Sequence, residues 1–458
     1  MSSLSKSCTL VLIALFLLTS VTEFFAVPAY SKPTWNTQLV DHAGAGGSIA
    51  IDSKGNPHIV YTYWYIVNDS SATRMNYAVW TGANWTIQTI DPSGGGGTLM
   101  LDSKDRPHVV YTADNSLKYA VLNGNSWNIQ TIDSSESPIF YSMALDSNGN
   151  PHVAYFTYHS AQNNVNGSET EDLKYAVWNG SSWNIQTIDR VNVFVDAGTP
   201  SIVLDSKNYP HILYDESVVF KYYNQYTWNN LSFYSTDNIK YASWTGKSWQ
   251  IQTVVSNSTE NGNLVLDSNQ QPSFYYIHES FTYNPSPNYN SFKTTDTPNY
   301  VYWNGHNWLS RTIDTNPSPF GQTFLKLDSS GNPNIYFYNE NYQNESESSL
   351  MDTHLTGSSW NNQNLGGIPL ENSQYYPDTE NIADIAFNSQ GKISLTYDGE
   401  VGTIRSAPID GDLTYATIED TGINPALSSL VPLTIIAAII VSVIIAVSLL
   451  RYIRHRKL

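Results

Sequence analysis

The amino-acid sequence predicts an all-β protein: a seven-bladed β-propeller of four-stranded antiparallel blades, followed by one C-terminal transmembrane helix. Three observations predict this fold. A phrase of the type "LDSNGNPHVAYF", here from Leu145 to Phe156, recurs seven times. A second phrase built on tryptophan alternates with it. Residues 430–450 form an uncharged apolar run close to the end of the chain.

The first phrase begins with an acidic or amide residue, has Pro in six of seven copies, and then has an aromatic residue. The anchoring residues are Asp52, Asp102, Asp146, Asp205, Asp267, Asp328 and Asn388. The aromatic residues are Tyr61, Tyr111, Tyr155, Tyr214, Tyr276, Phe337 and Tyr397. We interpret the Asp as a turn residue that accepts backbone N–H bonds. A calcium loop would need further carboxylates and a downstream Glu, which "DSNGN" lacks.

The second phrase, "LKYAVWNGSSWNIQTID" in the third unit, completes four short strands per unit. Its tryptophans are Trp35, Trp85, Trp127, Trp183, Trp249, Trp308 and Trp360. In the third unit the four strands are Tyr141–Asp146, His152–Tyr158, Leu173–Trp178 and Trp183–Asp189, separated by hairpin turn residues. Repeated four-stranded units are typical of propeller blades. A sandwich needs only about seven strands in total, and a β-helix needs shorter repeats.

The two ends of the repeat region predict how the ring closes. "WNTQLVD" at Trp35–Asp41 is a fourth-type strand that precedes the first unit. We predict that it completes the seventh blade beside Val401–Pro408. Asp412–Asp420 would then be an extra edge strand or a stalk.

These phrases resemble known propeller repeats. The Asp turn resembles those of NHL-type and Asp-box repeats, and "KYAVWNGSSW" is similar to the Tyr/Trp-rich blades of fucose-type lectins. The whole pattern resembles propeller repeats of archaeal cell-surface proteins. The resemblance supports the fold, and fold alone does not determine function.

Four histidines share one position of the first phrase, namely His58, His108, His152 and His211. The same position holds Ser273, Asn334 and Ser394 in the later units. A ring of imidazoles could bind a metal or a substrate. However, Ser and Asn are hydrogen-bonding substitutes, so we interpret the series as buried, hydrogen-bonded scaffold. We therefore expect no metal and no cofactor.

The sequence predicts a membrane-anchored protein of the cell surface. We assign 1–29 as a signal peptide, 30–420 as the propeller ectodomain, 421–429 as a linker, 430–450 as a transmembrane helix and 451–458 as a basic cytoplasmic tail. The single Cys lies in the signal, so the mature chain has no disulfide. Glycosylation is predicted from this location, at sequons beginning with Asn68, Asn84, Asn166, Asn179, Asn230, Asn257 and Asn344.

The charge of the ectodomain argues against nucleic acid as a partner. Of the 22 Lys and Arg residues and 40 acidic residues of the chain, the ectodomain holds 17 and 39, a net charge near −22. Such a field repels phosphate backbones.

Long, divergent loops in units four to six predict a recognition surface. Tyr, Ser and Asn on loops over a rigid frame are typical of binding sites, although tolerated insertions are the alternative. The candidate ligand-binding residues are Tyr222, Tyr223, Tyr226, Trp228, Tyr234, Tyr283, Tyr289, Tyr342, Tyr375 and Tyr376. We predict a binding or adhesion module for a glycan or a cell-surface protein.

Two alternatives stay open: a sialidase-like or other carbohydrate-active enzyme, and a structural coat protein. Against catalysis, the sequence has no nucleophile elbow and no His-Glu metal helix. Its ectodomain arginines lie on different strand types: Arg74, Arg106, Arg190, Arg311 and Arg405. The expectation from the sequence is therefore that the protein is not an enzyme.

Overall fold

Alternating apolar residues and frequent turn residues give a chain made of short strands. The computed structural model describes residues 33–68, 70–135, 137–159, 169–193, 198–222, 232–258, 260–285, 290–313, 320–328, 330–339, 349–367, 382–400 and 411–418. These residues form seven antiparallel sheets, one per sequence repeat. The predicted seven-bladed propeller is confirmed.

The strands of the first four blades follow the chain in order from the inner to the outer strand. Blade 1 contains β2 (Gly44–Ile51), β3 (Pro57–Val67), β4 (Ser70–Trp80) and β5 (Trp85–Asp91). Blade 2 contains β6 (Gly94–Leu101), β7 (Pro107–Ala113), β8 (Ser116–Asn123) and β9 (Ser126–Asp133). Blade 3 contains β10 (Pro138–Leu145), β11 (Pro151–His159), β12 (Glu169–Trp178) and β13 (Trp183–Val193). Blade 4 contains β14 (Ser201–Leu204), β15 (Pro210–Tyr222), β16 (Ser232–Trp244) and β17 (Trp249–Ser258).

The last three blades vary this plan. Blade 5 has a divided inner strand, and consists of β18 (Glu260–Asn261), β19 (Val265–Leu266), β20 (Pro272–Pro285), β21 (Asn290–Trp303) and β22 (Trp308–Thr312). Blade 6 contains β23 (Phe320–Leu327), β24 (Pro333–Asn339), β25 (Ser349–Thr356) and β26 (Ser359–Asn364). Blade 7 contains β27 (Ile382–Phe387), β28 (Ile393–Glu400), β29 (Gly411–Ile418) and, as its outer strand, β1 (Trp35–His42).

The ring closes through β1, as predicted, because this strand pairs with β29 to complete the seventh blade. The prediction for the neighbouring segment is wrong. Residues 411–418 are the third strand of blade 7, not an extra edge strand or a stalk. Val401–Pro408 lies outside the described residues. Pairing with both β28 and β1 places this strand in the blade interior, where its apolar residues are buried.

The core is distributed over seven clusters, one between each pair of neighbouring blades. The aromatic residue of the first phrase is central to them, and Tyr61, Tyr111, Tyr155 and Tyr214 are fully buried. Stability therefore arises from packing of each blade against the next. The cluster that joins Val40 and Leu413 to Ile59 and Tyr61 closes the ring.

The repeated Asp and His belong to this scaffold. Asp52 Oδ1 accepts backbone N–H bonds from Lys54 at 2.9 Å and from Asn56 at 2.7 Å, which is the turn role predicted for the Asp. His108 is buried, and its Nδ1 lies 2.6 Å from the Tyr119 hydroxyl. Burial lowers the pKa of this imidazole, and it lowers that of His152 to about 4. The structural interpretation of the histidines is confirmed.

The predicted signal, linker, transmembrane helix and tail lie outside the described residues and remain predictions. Within the described residues no helix is long and apolar enough to cross a membrane. That same part of the chain contains no group of three or more His, Cys, Asp or Glu side chains suited to hold a metal ion.

Candidate active site

Three neighbouring blade interfaces carry the same buried or half-buried set of Asp, Tyr and Lys. At the end of β5, Asp91 accepts from the Tyr111 hydroxyl at 2.9 Å and from Lys118 Nζ at 3.1 Å. Two further sets repeat it, Asp133 with Tyr155 and Lys174, and Asp189 with Tyr214 and Lys240. In each set the lysine compensates the buried carboxylate. Among the described residues of these sets, each lysine is thus already paired with a carboxylate.

The interface between blades 7 and 1, which we call the seam, departs from this set. Asp41 at the end of β1 accepts from the Tyr61 hydroxyl at 2.6 Å. Asn76 takes the place of the lysine, and its amide donates to the Tyr61 hydroxyl at 3.3 Å. Burial raises the pKa of Tyr61 far above its usual value, with a further contribution from Asp41. The phenol therefore remains a proton donor to Asp41.

The cation of the seam is Arg74, which lies two residues before Asn76 on the same face of β4. Arg74 pairs with Tyr63 across β3 and β4. Its guanidinium carbon lies 4.1 Å from the centre of the Tyr63 ring and 5.8 Å from that of Tyr65. In the described part of the chain this guanidinium has no carboxylate within ion-pair distance, and its Nε has no acceptor. The corresponding positions in blades 2 to 4 are Ser116, Asp172 and Asn238.

A histidine with a bound carboxylate follows Asp41 at the same end of β1. His42 Nδ1 is 2.9 Å from Asp412 Oδ1, and these residues face each other across β1 and β29. The His42 side chain is 77% exposed, whereas that of Asp412 is 22% exposed. The arrangement leaves the second ring nitrogen accessible while the carboxylate orients the imidazole.

A very short connection joins His42 to β2, the strand that pairs with the Tyr63 strand. Only Ala43 separates β1 from β2, and it adopts a left-handed conformation with φ 68°. The Ala43 carbonyl accepts from Trp64 N at 3.0 Å, and the next residue, Gly44, pairs with Tyr63. Non-glycine residues rarely adopt this conformation, and it is often found at functional sites.

The outer end of the hairpin β3–β4 adds an apolar surface. Trp64, Ile66 and Val67 are 38%, 52% and 47% exposed. Trp64 and Ile66 alternate with Tyr63 and Tyr65, so these two lie on the opposite face of the hairpin. The strand ends in and beside the seam thus carry a cation, an oriented imidazole, phenol groups and an exposed indole.

The ten residues predicted from the long loops lie elsewhere. Tyr222 lies in β15, Tyr234 in β16 and Tyr283 in β20, and their side chains are outside the described part. Tyr223, Tyr226, Trp228, Tyr289, Tyr342, Tyr375 and Tyr376 lie outside the described residues. This recognition surface stays a prediction. Sequence reasoning missed the seam, although an arginine at a position that holds a smaller side chain in blades 2 to 4 was a usable signal.

Comparison with known proteins identifies the fold. No protein-family model matches the chain, and no curated protein matches it. A solved polysaccharide lyase, an ulvan lyase, is similar over 83% of this chain and 95% of its own, with 11% identity and a TM-score of 0.51. Another ulvan lyase structure, bound to -[GlcA(1-4)Rha3S]-, is similar over 84% and 93%, with 12% identity and a TM-score of 0.48. A Trypanosoma rangeli sialidase with the inhibitor DANA covers 86% and 57%, with 9% identity and a TM-score of 0.40.

The sequence-based expectation that the protein is not an enzyme is wrong. It depended on the absence of short catalytic motifs, but a polysaccharide lyase is built on this same fold. A propeller gathers side chains from distant parts of the chain, as His42 and Asp412 illustrate across 370 positions. Catalytic groups assembled in this way leave no contiguous motif, so the missing motifs were not evidence against catalysis.

Proposed function

We propose that this protein is a carbohydrate-active enzyme that cleaves uronate-containing polysaccharides by β-elimination at the seam. The observations that carry the proposal are the Arg74 guanidinium, which has no carboxylate partner among the described residues, and the His42–Asp412 pair, which Ala43 connects to the strand beside Tyr63. The fold shared with a polysaccharide lyase supports it. As the sequence predicts, we place the enzyme at the cell surface, anchored by residues 430–450.

Arg74 is the residue we assign to the uronate carboxylate. Guanidinium and carboxylate form paired, charge-assisted hydrogen bonds, and the planar Tyr63 ring already supports the cation from one side. Withdrawing negative charge from the carboxylate makes the proton on the adjacent carbon more acidic. The same contact stabilises the negative charge that develops when that proton leaves.

His42 is the residue we assign as the general base. Asp412 holds Nδ1, so the neutral ring presents Nε2 to the substrate. Nε2 takes the proton from the carbon next to the carboxylate, the electron pair forms a C=C bond, and the glycosidic C–O bond breaks. The departing glycosidic oxygen takes up a proton, and we assign Tyr63 as the residue that donates it. The products are one unsaturated uronate end and one new sugar end, and no oxidant or water is consumed.

The exposed hairpin surface suits a polymer substrate. An indole such as Trp64 can contribute about 1 kcal/mol beyond area burial when a ring packs on it. Recognition by stacking also suits a net acidic protein, because long-range repulsion of a polyanion must be offset by local contacts.

The test is an activity measurement on the detergent-solubilised full chain with polygalacturonate, alginate and hyaluronan. β-elimination raises the ultraviolet absorbance of the conjugated C=C bond in step with new reducing ends. Arg74→Gln should lower kcat/KM by about 10²–10³-fold, as expected for loss of a group that binds developing charge. His42→Asn should abolish turnover while the chain keeps its thermal unfolding temperature.

The matched control is Arg311→Gln in blade 5, since that guanidinium also lies near a tyrosine, 5.4 Å from the Tyr302 ring. It should leave activity unchanged. New reducing ends without ultraviolet absorbance would mean hydrolysis, and equal loss with both arginine variants would mean no special role for the seam. Either result contradicts the proposal.

A further inference from the structure

The interface between blades 4 and 5 contains an open cleft at the face formed by the short hairpin turns. Its volume is about 650 Å³, within the range of small-ligand sites. Blade 4 contributes His211, Tyr241, Ser243, Gln250, Ile251 and Gln252, and blade 5 contributes Gln270, Gln271, Pro272, Trp303 and Trp308. None of the described residues that line the cleft is Asp, Glu, Lys or Arg. Burial lowers the pKa of His211, so the imidazole is neutral at pH 7.

Several lining residues are departures from the repeat. Ser243 faces His211 across the sheet, at the position held by Val79, Val121 and Val177 in blades 1 to 3. Gln271 occupies the turn position that holds Asn in blades 1, 3 and 6. In blades 1 and 3, Asn56 and Asn150 donate their side-chain amides to the turn Asp at 2.9 Å. The longer Gln271 instead donates to the Asn269 carbonyl at 3.1 Å.

A hydrogen bond that joins the outer strands at two other interfaces is absent between the described residues here. Trp183 Nε1 donates to Gln130 at 3.1 Å, and Trp249 Nε1 donates to Gln186 at 3.2 Å. The corresponding pair between blades 4 and 5 is Trp308 and Gln252, yet Trp308 Nε1 has no acceptor in the described part of the chain. Trp85 and Trp127 share that lack, but Trp308 and its expected acceptor both line the cleft.

From this convergence we infer a second ligand site, specific for a neutral saccharide, in the cleft between blades 4 and 5. Indole rings, here Trp303 and Trp308 with centroids 5.5 Å apart, pack against the C–H face of a sugar. Carboxamides both donate and accept, which matches hydroxyl groups, and four glutamines line this cleft. An uncharged lining inside an acidic protein gives a uronate no counter-charge. The site is distinct from the seam and would hold neutral parts of a glycan independently of cleavage.

The test applies the full chain, in detergent, to a glycan array that carries neutral and uronate-containing oligosaccharides. Neutral glycans should bind, and the double variant Ser243→Val with Gln271→Asn should weaken that binding at least 10-fold. Both changes install residues that sister blades already carry, so the fold is expected to tolerate them. An unchanged thermal unfolding temperature confirms this for the variant.

The matched control makes the opposite changes in blade 3, Val177→Ser with Asn150→Gln, and should leave neutral-glycan binding unchanged. Arg74→Gln should also retain it, which separates this site from the proposed catalytic one. The inference is overturned if no neutral glycan binds, or if the blade 4 and 5 variant binds as the unaltered chain does.

Discussion

The interface between blades 1 and 2 and the seam between blades 7 and 1 occupy the same place in the repeat but differ in charge. At the first, Lys118 lies 3.1 Å from Asp91 and the charges cancel within the scaffold. At the seam, Asn76 occupies the lysine position and the nearby cation is Arg74, which has no carboxylate partner in the described part of the chain. The repeat therefore maintains the ring, and a departure from it leaves a charged group available for a ligand.

The comparison predicts unequal costs for removing the two equivalent carboxylates. Asp91→Ala should lower the free energy of unfolding by about 3–5 kcal/mol, because it leaves Lys118 buried with less compensation. Asp41→Ala should cost about 1 kcal/mol, since it removes one hydrogen bond and leaves no buried lysine without its counter-charge. Denaturant unfolding of the full chain measures both. Equal costs would mean that the seam is not electrostatically different from the other interfaces.

A second feature distinguishes the inner strands of the seam. In blades 3 and 4 a serine of the inner strand accepts a backbone N–H bond from the inner part of the next blade: Ser142 from Ile202, and Ser201 from Leu264. In blade 7 the residue that plays this part is Asp384. Asp384 Oδ2 accepts from the Ser48 hydroxyl at 2.9 Å and from Ile49 N at 3.0 Å. Burial raises the pKa of this carboxyl from 3.8 to about 6, and the hydrogen bonds only partly oppose that shift.

A folded-state pKa above the unfolded value means that the folded state prefers the protonated acid. The stabilising contribution is thus complete below pH 4 and is lost as the pH rises through about 6. Asp384→Asn should therefore raise the free energy of unfolding at pH 7 by about 2 kcal/mol and change it little at pH 4. Ser48→Ala serves as a control that removes a partner without removing the charge. A destabilised Asp384→Asn protein at pH 7 would contradict this assignment.

The sequence was sufficient to predict the parts of the fold that repeat. The Asp turns, the buried histidines and the tryptophan strands, of which β1 is one, each recur with a fixed spacing. Comparison of the copies therefore reveals their role. The third strand of blade 7 was misplaced because no tryptophan strand follows it in the sequence, since the fourth strand of this blade is β1. The candidate site was missed because His42 and Asp412 meet only after ring closure.

The sequence could indicate where the repeat is broken, but not which breaks meet in space. Arg74, Ser243 and Gln271 are all visible as departures when the copies are aligned. Their assembly depends on the pairing of neighbouring blades, which brings Ser243 and Gln271 into one cleft and Arg74 to the seam. Length and aromatic content drew the functional prediction to the loops of units four to six instead.

The most direct test of the account is a structure of the full-length His42→Asn protein with a bound uronate oligosaccharide. Loss of the proposed base should trap the uncleaved substrate. The account predicts the uronate carboxylate within hydrogen-bonding distance of the Arg74 guanidinium, with the chain running over the hairpin that carries Trp64. Oligosaccharide bound instead at the loops around Tyr223 and Trp228, with the seam empty, would contradict it.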